Sequence, residues 1–190
     1  MPVARVVALH KFSKMQPDRP ASASLSFDVD GIVGDRHRGH LRPNGRNDKQ
    51  ARGSMRRNER MWSAISTDEL AQIAEDMGLA KPLTAADITM NIVLDGVPRL
   101  SRLPKGSLLR FPSGLELLVE EFCAPCLSKG SELAERYRDK DGLPLQPTAF
   151  SRAAKLSRGL LGIVDVAGVA QVGDEVEIVV YGHPDWLAPD

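Results

Sequence analysis

Cys123 and Cys126 are the only thiols in the chain, three residues apart in the segment EFCAPCLSKG. That spacing admits three chemistries. A redox dithiol places its first cysteine at a helix N-terminus inside a βαβ unit, and the sequence before Cys123 is β-rich with no such unit. Half of a zinc site would need two more ligands, and His37-x-x-His40 supplies two imidazoles with suitable internal spacing, although far from the cysteines in the chain. The third is a single thiolate acting as ligand or nucleophile, helped by positive charge folded over it. Cys123, next to Phe122 at a strand end, reads as a small packed hydrophobe. Cys126, behind Pro125 and at a helix start, is the candidate for function.

Other residues could complete such a site. DGIVGDRHRGH (30–40) surrounds Asp35 and His37 with glycines. Gly31 and Gly34 permit a tight turn, and Gly39 would let backbone approach a ligand closely. Asn91 lies in an apolar stretch, where a buried amide must bridge structure or meet a ligand. Arg158, before Gly159, could clamp a phosphate with two hydrogen bonds. From Arg36 to Arg60 there are nine Lys or Arg residues against Asp48 and Glu59. This segment reads as a long exposed loop, either an anion-binding lid or a solvated insertion.

The elements that must position these residues are mostly short strands. VARVVAL (3–9) and SLSFDVD (24–30) fit strands, and MWSAIS (61–66) feeds a helix with Thr67 as N-cap and Gly78 as C-cap. DITMNIVLDG (87–96) reads as a strand ending in Asp-Gly. GSLLRFPSGLELLVEEF (106–122) reads as a hairpin turning at Pro112-Ser113-Gly114. Short helices follow over SKGSELAERY and TAFSRAAKLS, and the C-terminal segment reads as two strands. Many strands and few helices predict a mainly β fold. A closed or nearly closed β-barrel is expected, because closure removes exposed strand edges.

At 190 residues, 42% hydrophobic and 26% charged, the chain fits one globular domain over 1–190. Zero net charge gives no reason to expect a nucleic-acid partner. No apolar run is long enough for a membrane span, and the first residues lack a secretory signal pattern. Two cysteines without such a signal fit a reducing compartment, so cytoplasmic localisation is expected.

In order, GIVGDRHRGH, AISTDELAQIAEDMGL, MNIVLDGV, LPKGSLLRF, APC and SRGLLGIVDVAGVAQVGDEVEI resemble the MOSC domain, the C-terminal domain of molybdenum cofactor sulfurases. The resemblance covers about residues 27 to 180 and looks closest to stand-alone bacterial members. It implies a MOSC, or PK β-barrel-like, barrel. It also implies a single functional cysteine in a Pro-Cys setting, which maps onto Pro125-Cys126 and not onto Cys123. In relatives that cysteine carries sulfur or ligates molybdenum. Both roles need an exposed soft thiolate. Gly34, Asp35, His37, Gly39, Asn91 and Arg158 match positions lining the site, and Arg56, Arg57 and Arg60 of the basic loop would meet the phosphate of molybdopterin. Two departures stand out: Ser157-Arg158 where many relatives have two arginines, and an unusually long, arginine-rich loop. The leading expectation is reduction of N-hydroxylated compounds with the molybdenum cofactor held by Cys126, fed by an electron-donor protein. One alternative is a sulfur carrier whose Cys126 persulfide is loaded by a separate cysteine desulfurase; another is a non-catalytic cofactor-binding protein. Nothing in the chain supports pyridoxal phosphate.

Overall fold

A computed structural model describes residues 3–13, 20–45 and 50–182. Seven strands close into a barrel: β1 (Val3–Leu9), β6 (Trp62–Ser66), β7 (Ile92–Asp95), β8 (Leu108–Arg110), β9 (Glu116–Phe122), β10 (Leu160–Val166) and β12 (Glu175–Val179). Their order around the wall is β1-β12-β8-β9-β10-β6-β7, and β7 pairs back onto β1. Closure leaves no free edge on this sheet. Beside it, β2 (Ser24–Asp28) pairs with β3 (Gly31–Ile32) and β11 (Gly168–Gln171), while β4 (Leu41–Pro43) and β5 (Met55–Arg57) form a two-stranded ribbon.

All barrel pairs are antiparallel except β6–β7. A parallel pair needs a crossover, and α1 (Thr67–Asp76) provides it. Its N-cap is Ser66, one residue before the expected Thr67, because Ser66 and Glu69 form a reciprocal capping box. Glu69 also accepts from the Ser101 backbone N–H at 2.8 Å. Burial pushes its carboxyl above the ordinary value, against the pull of those hydrogen bonds. The helix's C-cap is Met77, and Gly78 follows at φ +64.

Two apolar clusters divide the core. One fills the barrel with Leu9, Trp62, Leu94, Leu109, Leu117 and Ile178. The other packs α1, α2 (Leu127–Arg136) and α3 (Ala149–Ala153) against the wall through Ile65, Ile73, Leu133 and Phe150, with Cys123 among them. Trp62 lies across the β10 backbone and donates to the Ile163 carbonyl at 2.8 Å. That crossing is why position 162 is glycine: a Cβ there would stand 2.0 Å from the Leu118 carbonyl and 2.3 Å from the Trp62 ring.

Three further expectations need correction. The strand expected over 87–96 is only Ile92–Asp95, because residues 85–89 form turns and Thr89 takes φ +58. Asn91 therefore precedes β7 rather than lying within it. The C-terminal segment makes three strands, since β11 leaves the barrel to pair with β2. The basic segment is not loop throughout; it contains the β4–β5 ribbon, and residues 46–49 lie outside the described ones.

Two glycine substitutions separate packing from backbone strain. Gly162→Ala forces β9, β10 and Trp62 apart and is expected to cost about 3 kcal/mol or more. Gly114→Ala, at φ +87 with no atom within 4 Å of the new methyl, is expected to cost about 1–2 kcal/mol through backbone strain alone. Urea denaturation of both variants measures the difference.

Candidate functional site

The site is organised around the Asp35 carboxylate, whose side chain is 0% exposed. Oδ1 accepts from the His37 backbone N–H at 2.8 Å and faces His37 Nδ1 at 3.2 Å. Oδ2 accepts from the Phe12 N–H at 2.8 Å and from Asn91 Nδ2 at 3.1 Å. Burial pushes this carboxyl up, but the bonds from His37 and Phe12 outweigh it and hold it below the ordinary value. Asp35 is therefore a buried anion at neutral pH. Asn91 uses its remaining groups on the His10 carbonyl, at 3.0 Å, and on the Ser63 backbone and hydroxyl, at 3.1 and 2.8 Å. Of the two roles open to a buried amide here, bridging accounts for all of its polar atoms.

A second buried group lies at the start of β10. Arg158 is only 8% exposed. Nη1 donates to the Cys123 thiol and, at 3.3 Å, to the Ala124 carbonyl; Nη2 donates to the Ile88 carbonyl at 3.2 Å. Its Cζ sits 5.8 Å from the Phe150 ring centre. The Ile88 carbonyl also accepts from Thr89 Oγ1 at 2.7 Å. Thr89 is a β-branched residue with positive φ, a conformation that costs about 1–3 kcal/mol and persists only where its surroundings impose it. Gly159, at φ +95, is required by contact: a Cβ would come within 2.2 Å of the Ala64 carbonyl. Arg158 thus grips the protein with both terminal nitrogens, and its buried Nε has no partner.

Between β9 and α2 the chain runs from Cys123 to Cys126 without a turn or bend. Pro125 favours such an extended path for itself and for Ala124. Both cysteines line one cavity, and both are free thiols. Cys126 is exposed and stands at the N-cap of α2 with no side-chain capping bond. Cys123 is 5% exposed. Burial pushes its thiol pKa up against the opposing effect of Arg158. Among the described residues no cluster of three or more His, Cys, Asp or Glu could hold a metal ion, so the zinc arrangement with His37 and His40 is not formed.

The cavity measures about 590 Å³. Cys126, His37, Asn91, Arg60 and Arg158 line it as expected, together with Arg36, Cys123, Lys129 and Thr89, which sequence reasoning missed. Cys123 is thus both packed, as expected, and part of the wall. Asp35 sits behind His37 rather than on the surface of the cavity. Gly34 and Gly39 are not on the wall either; they are turn residues at φ +81 and +149, and the Gly39 carbonyl accepts from Asn58 Nδ2 at 2.8 Å. Arg56 and Arg57 line a neighbouring 180 Å³ pocket, where Arg56 pairs with Glu59 at 2.7 Å and Arg57 with Glu120. Four cations, Arg36, Arg60, Lys129 and Arg158, face the larger cavity against two carboxylates, Glu121 and Glu132. The space suits an anionic, molecule-sized ligand beside an exposed thiol.

Known proteins share this sequence pattern and fold. The MOSC domain family profile matches residues 37–177. The Bacillus subtilis (strain 168) protein YuaD, whose name assigns it provisionally to metal-sulfur cluster biosynthesis, is 35% identical over 158 residues, spanning 83% of this chain and 80% of YuaD. A crystal structure of the Bacillus subtilis YuaD protein superposes with TM-score 0.87 at 30% identity, covering 95% of this chain and 97% of that one. The Escherichia coli YiiM structure shares the fold at TM-score 0.59 and 13% identity, over 95% of this chain and 72% of YiiM.

Two measurements test the site as described. In the native protein one thiol, Cys126, should react rapidly with a disulfide reagent, and the second should react only after denaturation. Asp35, held low, contributes stability above its unfolded value of about 3.9 and loses it as pH falls through its folded value. Asp28, Glu59, Asp87 and Glu120 are lowered as well. Asp35→Asn should therefore make the acid limb of a stability-against-pH curve shallower without abolishing it.

Proposed function

Because this chain belongs to the MOSC domain family, we propose that its cavity holds the molybdenum cofactor, with Cys126 as the protein thiolate on molybdenum, and that the protein reduces N-hydroxylated compounds. The observation that carries this reading is the exposed Cys126 thiol opening onto a 590 Å³ cavity whose wall carries four cations against two carboxylates. A persulfide needs only an accessible sulfur and would occupy a small part of that volume. A pterin with its phosphate dianion calls for space and positive charge together. The orphaned Nε of Arg158, buried in the wall, is a further sign that the site is arranged for a group beyond the protein's own atoms.

In this reading Cys126 supplies the soft ligand, and Arg36 and Arg60 supply charge toward the phosphate. Arg36 has no side-chain partner among the described residues, and Arg60 approaches Glu121 only to 3.9 Å, so both retain donors. Arg158 cannot act as a free bidentate clamp, because its terminal nitrogens are already engaged; its role is a fixed positive charge behind Cys123. The bound cofactor would supply two-electron oxygen-atom chemistry at molybdenum. The chain itself binds, orients and screens: Trp62 and Leu161 give the cavity an apolar side, and Asn91 holds the wall next to Asp35. Electrons would come from a separate donor protein. Among the described residues no helix is long and apolar enough to cross a membrane, and a cytoplasmic setting fits the use of free thiols.

A second reading, a sulfur carrier, is favoured by one specific feature: Cys126 is exposed at the end of an extended segment, as delivery of persulfide sulfur requires. The name of YuaD points the same way.

Protein purified from a host that makes the cofactor should contain molybdenum and pterin near one equivalent. Cys126→Ser should lose molybdenum, whereas the Arg36→Ala, Arg60→Ala double variant should weaken pterin retention about tenfold or more, as expected for lost charge-assisted bonds. Molybdenum retained in full by Cys126→Ser would overturn the ligand assignment. A Cys126 persulfide in molybdenum-free wild-type protein would establish the second reading instead.

A further inference from the structure

We propose that His37, held by Asp35, is the proton donor of this cavity, delivering a proton to the departing oxygen of an N-hydroxylated substrate; the inference rests on the reductase reading above. A carboxylate accepts hydrogen bonds and cannot donate them, so the Asp35 Oδ1 contact at 3.2 Å places the ring hydrogen on Nδ1. The same oxygen takes the His37 backbone N–H at 2.8 Å, which fixes the residue at two points. Nε2 is then the ring atom left to exchange protons. It has no hydrogen-bond partner among the described residues, and the side chain is 41% exposed where it lines the cavity.

Both Asp35 oxygens meet only donors, from Phe12, Asn91 and His37, a set that a neutral amide could not match because its NH2 would face one of them. The carboxylate therefore also fixes which ring nitrogen of His37 faces the protein. The other charged groups on the wall are unsuited to the task. Arginine does not release protons, the Lys129 ammonium is paired with Glu132, Glu121 faces Arg60, and the Cys123 thiol is buried. Imidazole is the side-chain type on these walls suited to proton exchange at neutral pH.

The N–O bond of R–NH–OH breaks as two electrons arrive from the donor protein. The proton on His37 Nε2 passes to the departing oxygen, which leaves as water. Nitrogen takes a second proton from solvent to give R–NH2, and solvent reprotonates His37 through its exposed edge.

The test uses full-length protein purified with molybdenum and assayed on an aryl N-hydroxyamidine with reduced methyl viologen as electron source. His37→Gln is expected to keep its molybdenum within twofold and its KM within threefold of wild type, and to lose about 100-fold in kcat. Ring nitrogen NMR of the wild type, which needs no cofactor, should show hydrogen on Nδ1, and Asp35→Asn should disturb that state. His37→Gln turning over within threefold of wild type overturns the proposal, as does loss of molybdenum in that variant, or hydrogen on Nε2 alone in the wild-type ring. Wild type that binds no molybdenum removes the cofactor reading and this inference together. Loaded wild type with a fully active His37→Gln variant removes this inference alone.

Discussion

The buried Asp35 carboxylate is the constraint on which the site depends. It joins four parts of the chain that the barrel brings close: the segment after β1 through Phe12, its own turn through His37, the residue before β7 through Asn91, and β6 through the Asn91–Ser63 bonds. An anion at 0% exposure is tolerable only when its lone pairs are filled, and here each oxygen receives two donors. The arrangement also turns one imidazole edge away from the protein interior. Rigidity of the wall and orientation of His37 therefore come from the same set of bonds.

On the other side of the cavity, Arg158 has a comparable effect with opposite charge. Its guanidinium is held by the Ile88 and Ala124 carbonyls and lies against the Cys123 thiol. The Ile88 carbonyl reaches it across a backbone that is left-handed at Thr89, and Gly159 lets β10 begin against Ala64. A positive charge is thus buried beside a thiol three residues from the exposed Cys126. The strain at Thr89 and the unfilled Nε of Arg158 both fall on this wall, as imperfect local satisfaction often does at functional sites.

Among the described residues of the 36–60 segment, four arginines are paired with carboxylates by the fold. Arg38 pairs with Asp28 at 2.6 Å, Arg42 and Arg56 converge on Glu59, and Arg57 joins Lys105 at Glu120. Glu59 and Glu120 are both held below the ordinary carboxylate value: burial pushes them up, and their cationic partners more than offset it. What remains for the cavity is Arg36 and Arg60, at the two ends of the segment. The local charge read from the sequence was real, but it is met by Glu59 within the segment and by Asp28 and Glu120 on strands elsewhere in the chain.

Local patterns determined much of this protein. Helical spacing behind Thr67 marks α1, Pro112-Ser113-Gly114 marks the β8–β9 turn, and Pro125-Cys126 before a helix marks the exposed thiol; each is set by backbone preferences within a few residues. The ordered motifs were enough to point to the MOSC barrel. Tertiary structure alone decided who meets whom. Asn91 finds its partners 28, 56 and 81 residues away. Arg57 is drawn out of the cavity by Glu120, 63 residues on, while Arg36, Lys129 and Cys123 enter its wall without any local signature. A side chain's neighbours across a closed barrel depend on strand order and register, and the competition among distant charges for a partner is settled only once the wall has closed.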